Sequence, residues 1–256
     1  MNEPNEVKEY MRNTYSQFWS STRIKFGVGQ YDKDLINELS KRIKKGKILE
    51  IGIGDGFPYS NVLDEMAYEV YGIDISPTHV DMVKESLPNI NVCLGDAEDL
   101  EFQDNFFDIV FCFRSTWYFP NLIKSISEML RVVKNDGLIM FDIQNSNHPI
   151  HLKSMKEQLR RKNSYIYEIS TRLIKNLTKL IIRPIRFFPI HWSLKEHIVI
   201  ETPTDPSSIN LYLSRENNFN YKIYGVNWED SFCTLEEINT TKDFDRFDRL
   251  VYKIYK

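Results

Sequence analysis

Three cysteines are all that the 256 residues contain, Cys93, Cys112 and Cys233, and no two form a C-x-x-C pair. This excludes a disulfide framework and a cysteine zinc site, and it suits a reducing cytoplasm. Cys93 and Cys112 fall in segments predicted to be buried strands, where free cysteine packs as a small hydrophobe. No apolar run approaches the length of a membrane span. The opening MNEPNEVKEY is polar and acidic, unlike a signal peptide. Glycine and proline are sparse, ten of each, and no internal repeat is present, which excludes low-complexity and solenoid architectures. Charge of one sign is also lacking: the net value is −3, which points to no polyanion partner for the chain as a whole. Hydrophobic residues make up 42 %, enough core for one large α/β domain or for a domain with an insertion.

Three of the ten glycines cluster in Lys47–Ser60, KILEIGIGDGFPYS. Ile48, Leu49 and Ile51 read as a buried parallel strand. Gly52, Gly54 and Gly56 follow at every second position, and Pro58 suits a first helical turn. The segment is strand, tight glycine turn, helix, and glycine there lets a ligand approach the main chain. It is not a dinucleotide fingerprint, because the third glycine of G-x-G-x-x-G would fall on Phe57 or Tyr59. Nor is it a P-loop, since no Gly-Lys-Ser/Thr follows.

The pattern Glu50-x-Gly52-x-Gly54-x-Gly56 resembles motif I of the class I S-adenosylmethionine-dependent methyltransferases at all four positions. The resemblance implies a glycine turn beneath the methionine part of the cofactor, with the acid helping to hold the site together. The downstream features continue it. A second strand, Tyr68–Ile73, leads to Asp74, 22 residues beyond Gly52, near the spacing at which an acid accepts from both ribose hydroxyls. A third strand, Ile90–Leu94, leads to Asp96, which resembles the family's acid at the adenine amine. Ile75 and Ala97, beside these acids, and Phe113 at the end of the fourth strand complete the implied cofactor set. Pro77 opens a helix that carries His79, expected to point away from the pocket, and Glu98 is expected to be solvated.

Phe106–Phe113 is apolar on both faces, as a central strand is, and it ends in Arg114-Ser115-Thr116-Trp117-Tyr118 at the carboxyl edge, where open α/β sheets place their chemistry. Arg114 and Tyr118 are therefore candidates for holding the acceptor. Some members of the family carry histidines here, and this chain departs from them with Trp117 and Tyr118. Asn121–Val133 is an amphipathic helix, and LRVVKNDGLIMFDI resembles the family's helix, glycine turn and fifth strand, with Asp136 where glycine is common. The matches cover residues 47–143. Alternating strands and helices independently predict a doubly wound parallel sheet. A helix over Ser207–Asn217 and two alternating runs, Phe219–Val226 and Arg249–Tyr255, add strands six and seven, the last antiparallel, joined by a polar loop over Asn227–Arg246.

The expected organisation is N-terminal helices over 1–46, a seven-stranded core over 47–144 and 206–256, and a helical insertion over 145–205. In the first segment Val7, Met11, Tyr15 and Trp19 form one stripe. It packs on the domain or, as in similar methyltransferases, closes over the cofactor through an aromatic, here Tyr15 or Trp19. Asp32 is expected to cap a helix running to Lys45. The insertion carries ten Lys and Arg against Glu157 and Glu168 across 151–190, a balance of +8, with an apolar stripe of Ile166, Ile169, Leu173, Leu177 and Leu180. A solvated cap helix is the plainest reading. A cover over an anionic acceptor, through Arg160, Arg161 and Lys162, and attachment to a membrane surface are the functional ones. Nucleic acid is not expected, because no stacking platform accompanies the charge.

The function that follows is methyl transfer to a small polar acceptor, anionic or sugar-derived and at oxygen, with S-adenosylhomocysteine as product. N-methylation, a macromolecular target and a non-catalytic cofactor-holding subunit remain alternatives. A hydroxyl acceptor would profit from a base. His148 and His151 follow strand five at the catalytic edge and are the candidates, against a plain surface-loop role. His191 and His197 are weaker ones. No residue spacing suggests a metal site.

Overall fold

The computed structural model describes residues 4–15, 29–162, 202–215, 219–229 and 232–256. Eight strands form one sheet: β1 (Lys47–Ile51), β2 (Glu69–Asp74), β3 (Asn91–Leu94), β4 (Phe107–Cys112), β5 (Val133–Gln144), β6 (Asn220–Glu229), β7 (Phe232–Glu237) and β8 (Arg249–Tyr255). Their order is β3-β2-β1-β4-β5-β8-β6-β7. The first five strands are parallel, β8 is antiparallel to both β5 and β6, and β7 is antiparallel to β6.

The expected count of seven strands is thus one short. β7 lies in what reads as a polar loop, because FCTLEE at a sheet edge needs an apolar side chain on one face only. Leu235 supplies it, packing on the neighbouring core. The other difference is at helix ends. Asp32 does not cap its helix, α2 (Gln30–Ser40), but sits in the first turn, where Oδ2 accepts the Gly29 N–H at 3.1 Å. That helix stops at Ser40, short of Lys45.

The helices cover both faces of the sheet. On one side α2, α3 (Tyr59–Glu65) and α4 (Pro77–Ser86) bury Leu35, Leu39, Leu63, Val80 and Val83 against β1, β2 and β4. On the other, α5 (Leu122–Val132) and α7 (Pro206–Arg215) bury Ile126, Met129, Ile209 and Leu213. Asn121 caps α5, its side chain accepting the Lys124 N–H at 3.1 Å. Asp136 adopts φ +65°, the left-handed conformation that glycine favours, and its N–H donates to the Lys256 carbonyl at 2.8 Å.

Two further helices frame the carboxyl edge. α1 (Pro4–Tyr10) passes into a π-helical turn over Met11–Tyr15, and residues 16–28, with the expected helix end at Trp19, lie outside the described ones. α6 (Pro149–Lys162) opens the insertion. The apolar stripe, His191 and His197 lie outside the described residues. The chain leaving β5 and the chain entering α7 (Pro206–Arg215) are pinned together: Ser146 N–H donates to the Thr204 carbonyl and Thr204 N–H to that of Gln144. Thr202 N–H donates to the Trp117 carbonyl at 2.8 Å, so the returning chain meets the loop after β4. No described helix is long and apolar enough to cross a membrane.

Candidate active site

Parallel strands that end together leave a crevice where their helices diverge. Here it lies beyond β1, β2 and β4 and encloses about 890 Å3, open mouth included. The glycine turn forms its floor. Gly52, Gly54 and Gly56 have φ of +72°, +60° and +80°. The turn is anchored by the Gly52 and Ile53 N–H groups, which both donate to the Ile73 carbonyl. A Cβ on Gly52 would stand 2.6 Å from Ser115 Oγ, so alanine there is excluded by both conformation and space.

Asp74 ties this floor to the next wall. Its Oδ2 accepts the Gly54 N–H and its Oδ1 the Ser76 N–H, each at 2.9 Å. Further along, Asp96 Oδ1 accepts the Glu98 N–H at 3.0 Å. Gly52, Gly54, Asp74, Ile75, Asp96, Ala97, Arg114 and Tyr118, all singled out from the sequence, line one pocket.

The other described candidates do not. Glu50 is buried below the turn, where Oε2 accepts the Ser60 hydroxyl at 2.5 Å and so joins β1 to α3. Gly56 faces α4, and a Cβ there would stand 2.5 Å from Leu87 Cδ1. Phe113 points into the core, its ring 5.1 Å from that of Tyr59. His148 and His151 pack together at the start of α6, ring centroids 6.3 Å apart, and His151 Nε2 is 3.1 Å from the Asp248 carbonyl. Burial holds His151 below the usual histidine value despite Asp248. Neither histidine lines the pocket: β5 carries them past its end toward β8, not toward β1. The side chains of Tyr15, Arg160, Arg161 and Lys162 lie outside the described ones.

Two sequence expectations reverse. His79 lines the pocket and is 6 % exposed. Glu98 is 8 % exposed, not solvated, and its Oε1 accepts the Asn121 N–H at 2.8 Å. The sequence also hides Lys8 and Met11, which enter the pocket from α1 and the turn after it. Lys8 Nζ reaches Asp96 at 2.8 Å and Glu98 at 2.9 Å. The only sequence signal is the i, i+3 spacing of Lys8 and Met11, which puts both on one helix face.

Burial works against both charges of this pairing. The Lys8 hydrogen bond nevertheless brings the Asp96 carboxyl below its usual value, and both acids raise the Lys8 ammonium. The pairing is therefore complete above the ordinary carboxylate value and below the ordinary ammonium value. It is lost as pH falls through the depressed value of Asp96 or rises through the raised value of Lys8. Lys8→Met should lower stability by about 1 kcal/mol near neutral pH. Thermal unfolding should show that difference vanish in acid, below the carboxylate range.

Behind the pocket wall lies a buried polar network. Arg114, at φ +58°, is held in the left-handed region by its N–H, which donates to Asp142 Oδ1 at 2.7 Å. Its guanidinium donates to Asp32 Oδ1 at 2.9 and 3.1 Å, and the Tyr59 hydroxyl donates to the same oxygen at 2.6 Å. The Tyr31 hydroxyl donates to Asp142 Oδ2 at 2.7 Å. Burial pushes both tyrosine hydroxyls well above their ordinary value, with Asp142 adding to the shift of Tyr31 and Asp32 to that of Tyr59. Burial also opposes the Arg114 charge, but Tyr59 and Asp32 hold it above the usual guanidinium value. Among the described lining residues Lys8 and Arg114 stand against Asp55, Asp74, Asp96 and Glu98, an acidic balance.

A glycine-floored crevice at the carboxyl edge, an acid after β2 and another after β3 define a class of protein, and comparison with known chains agrees. Residues 49–141 match the methyltransferase domain family and form a domain of the class I, S-adenosylmethionine-dependent type. Phosphoethanolamine N-methyltransferase 2 of Caenorhabditis elegans is 31 % identical over 129 residues, 45 % of this chain and 29 % of that one. Phthiotriol/phenolphthiotriol dimycocerosates methyltransferase 1 of Mycobacterium ulcerans is 27 % identical over 105 residues, 40 % and 39 % of the two chains. This chain thus spans well under half the length of these curated relatives. A solved Thermotoga maritima protein, a SAM-dependent methyltransferase and possible histamine N-methyltransferase, shares the fold over 94 % of this chain and 97 % of its own, at TM-score 0.60 and 14 % identity.

Proposed function

We propose that this chain is an S-adenosylmethionine-dependent methyltransferase acting on oxygen of a small polar acceptor, anionic or sugar-derived, in the cytoplasm. The observation that carries the reading is Asp74, buried at the end of β2 with one oxygen on the glycine turn and the other on the N–H of Ser76. Each oxygen keeps a lone pair, so the carboxylate is able to accept from two ribose hydroxyls without releasing the turn. Asp96 and Glu98 supply further acceptors for an amine. The acidic balance of the wall suits a cofactor that carries a sulfonium and an ammonium group.

When bound, the cofactor supplies an activated methyl group. The residues of the chain then bind, orient and exclude water, and in-line positioning supplies much of the acceleration. Arg114 and Tyr118 line the wall beside the turn. Because Arg114 is already engaged by Asp32, it serves to shape that wall, and the cations for an anionic acceptor are assigned to the insertion over 145–205. The adjacent ends of that insertion, beside Gln144 and Trp117, support its reading as a roof for the acceptor.

Calorimetry should show binding of S-adenosylhomocysteine and none of NAD, and labelled cofactor should turn over with an acceptor. Binding without turnover on any acceptor would favour the cofactor-holding subunit. Replacing Arg160, Arg161 and Lys162 together with Ala should raise the acceptor's KM, leave cofactor affinity nearly unchanged, and lessen the salt dependence of acceptor binding. Unchanged acceptor kinetics with lost binding to anionic vesicles would replace the roof by a membrane-surface role.

A further inference from the structure

His79 occupies the first turn of α4, five residues after Asp74 and facing it. It is buried, it lines the pocket, and its Nδ1 has no hydrogen-bond partner. A buried polar nitrogen without a partner is costly, and such groups in native proteins call for an explanation. The nearest charged atom is Asp74 Oδ1, 3.3 Å away, too poorly aligned for a hydrogen bond. That oxygen already accepts the Ser76 N–H, and the opposite oxygen accepts that of Gly54. The carboxylate therefore has one contact on each side from the main chain and a histidine standing just off line.

The geometry points to His79 as a positioning residue for Asp74. Its Nδ1–H takes the place of the Ser76 N–H on Oδ1 when the carboxylate turns to take the ribose hydroxyls, so that each oxygen still has one lone pair for a hydroxyl. Catalytic and binding-site hydrogen bonds are often long or misaligned before the ligand arrives and tighten with it. A small rotation of the carboxylate brings Oδ1 into line with Nδ1 while the Gly54 N–H keeps Oδ2 tethered. His79 thus sets the angle at which Asp74 presents its free lone pairs, and through it the preference for a ribose that carries both hydroxyls. This inference rests on the cofactor reading above.

The test compares S-adenosylhomocysteine with its 2′,3′-dideoxy analogue by calorimetry, on the native chain and on His79→Leu, His79→Gln and His79→Asn. An asparagine amide places its N–H close to the position of Nδ1, whereas glutamine's falls near Nε2. For S-adenosylhomocysteine, Leu and Gln should weaken binding about tenfold, the order that a hydrogen bond to a charged group contributes. Asn should restore most of that loss. For the dideoxy analogue all four proteins should bind alike, because Asp74 then has nothing to hold. In the native chain, the His79 Nδ1 proton resonance should move downfield when S-adenosylhomocysteine is added. An equal loss for both ligands, an Asn variant as weak as Leu, or an unmoved Nδ1 resonance in a chain that binds the ligand would overturn the role of His79 alone. Failure of the native chain to bind S-adenosylhomocysteine would overturn the cofactor reading and this one with it.

Discussion

Replacing Asp74 with Ala should reduce affinity for S-adenosylhomocysteine at least about a hundredfold, because two hydrogen bonds to a charged acceptor are lost together. The substitution also removes the acceptor of the Gly54 and Ser76 N–H groups, which loosens the turn that forms the pocket floor. The two contributions separate with Asp74→Asn. Its carbonyl oxygen still accepts one main-chain N–H, but its amide cannot accept from a second hydroxyl. Asn should therefore recover part of the thermal stability and a smaller part of the affinity. Calorimetry and unfolding on the three proteins measure both quantities. An Ala variant that binds within a few-fold of the native chain would mean that Asp74 holds only the turn, and the ribose assignment would fall with it.

The second large effect is expected behind the pocket. Asp142 is fully buried and serves the Tyr31 hydroxyl and the Arg114 N–H, with Arg249 Nη1 3.7 Å from Oδ2. Arg249 lies over the ring of Tyr31 at 5.4 Å and that of Trp117 at 5.0 Å. Asp142→Ala takes the acceptor from both donors and removes one of the negative charges that face Arg249. Breaking a buried pair of this kind costs about 3–5 kcal/mol. Urea unfolding should show a lower midpoint with an unchanged slope. The left-handed Arg114 would lose the acceptor that fixes it, so the shape of the pocket wall should change as well. A loss of less than about 1 kcal/mol would show that the network contributes little to stability.

These two expectations divide along the line between local and distant information. The place of Asp74 beside the glycine turn was legible in the sequence because everything it needs is local. A glycine turn forces left-handed backbone, an apolar run before it forces a buried strand, and the acid that meets the turn follows one βα unit later. The same is true of the first five strands and of α5, whose periodicity carries both length and buried face. Asp136, read as standing where glycine is common, does take the left-handed backbone.

What the sequence left open depends on residues far apart in the chain. Lys8 meets Asp96 across 88 residues, and no pattern near either reveals the pair. His79 reads as a residue on an outward helix, because periodicity assigns a face only along the helix and its N-terminal turn meets the sheet edge instead. His148 and His151 were placed correctly along the chain, after β5, but β5 continues toward β8 and carries them away from the turn. β7 escaped because an edge strand needs an apolar side chain on one face only, here Leu235, where the central strand β4 buries five of its six residues. Sequence alone determined the sheet's parallel half and the acids at its edge, since short-range sterics and burial impose them. Only the tertiary structure decided which of the remaining side chains share that pocket, because convergence at one sheet edge is set by strand order and not by spacing.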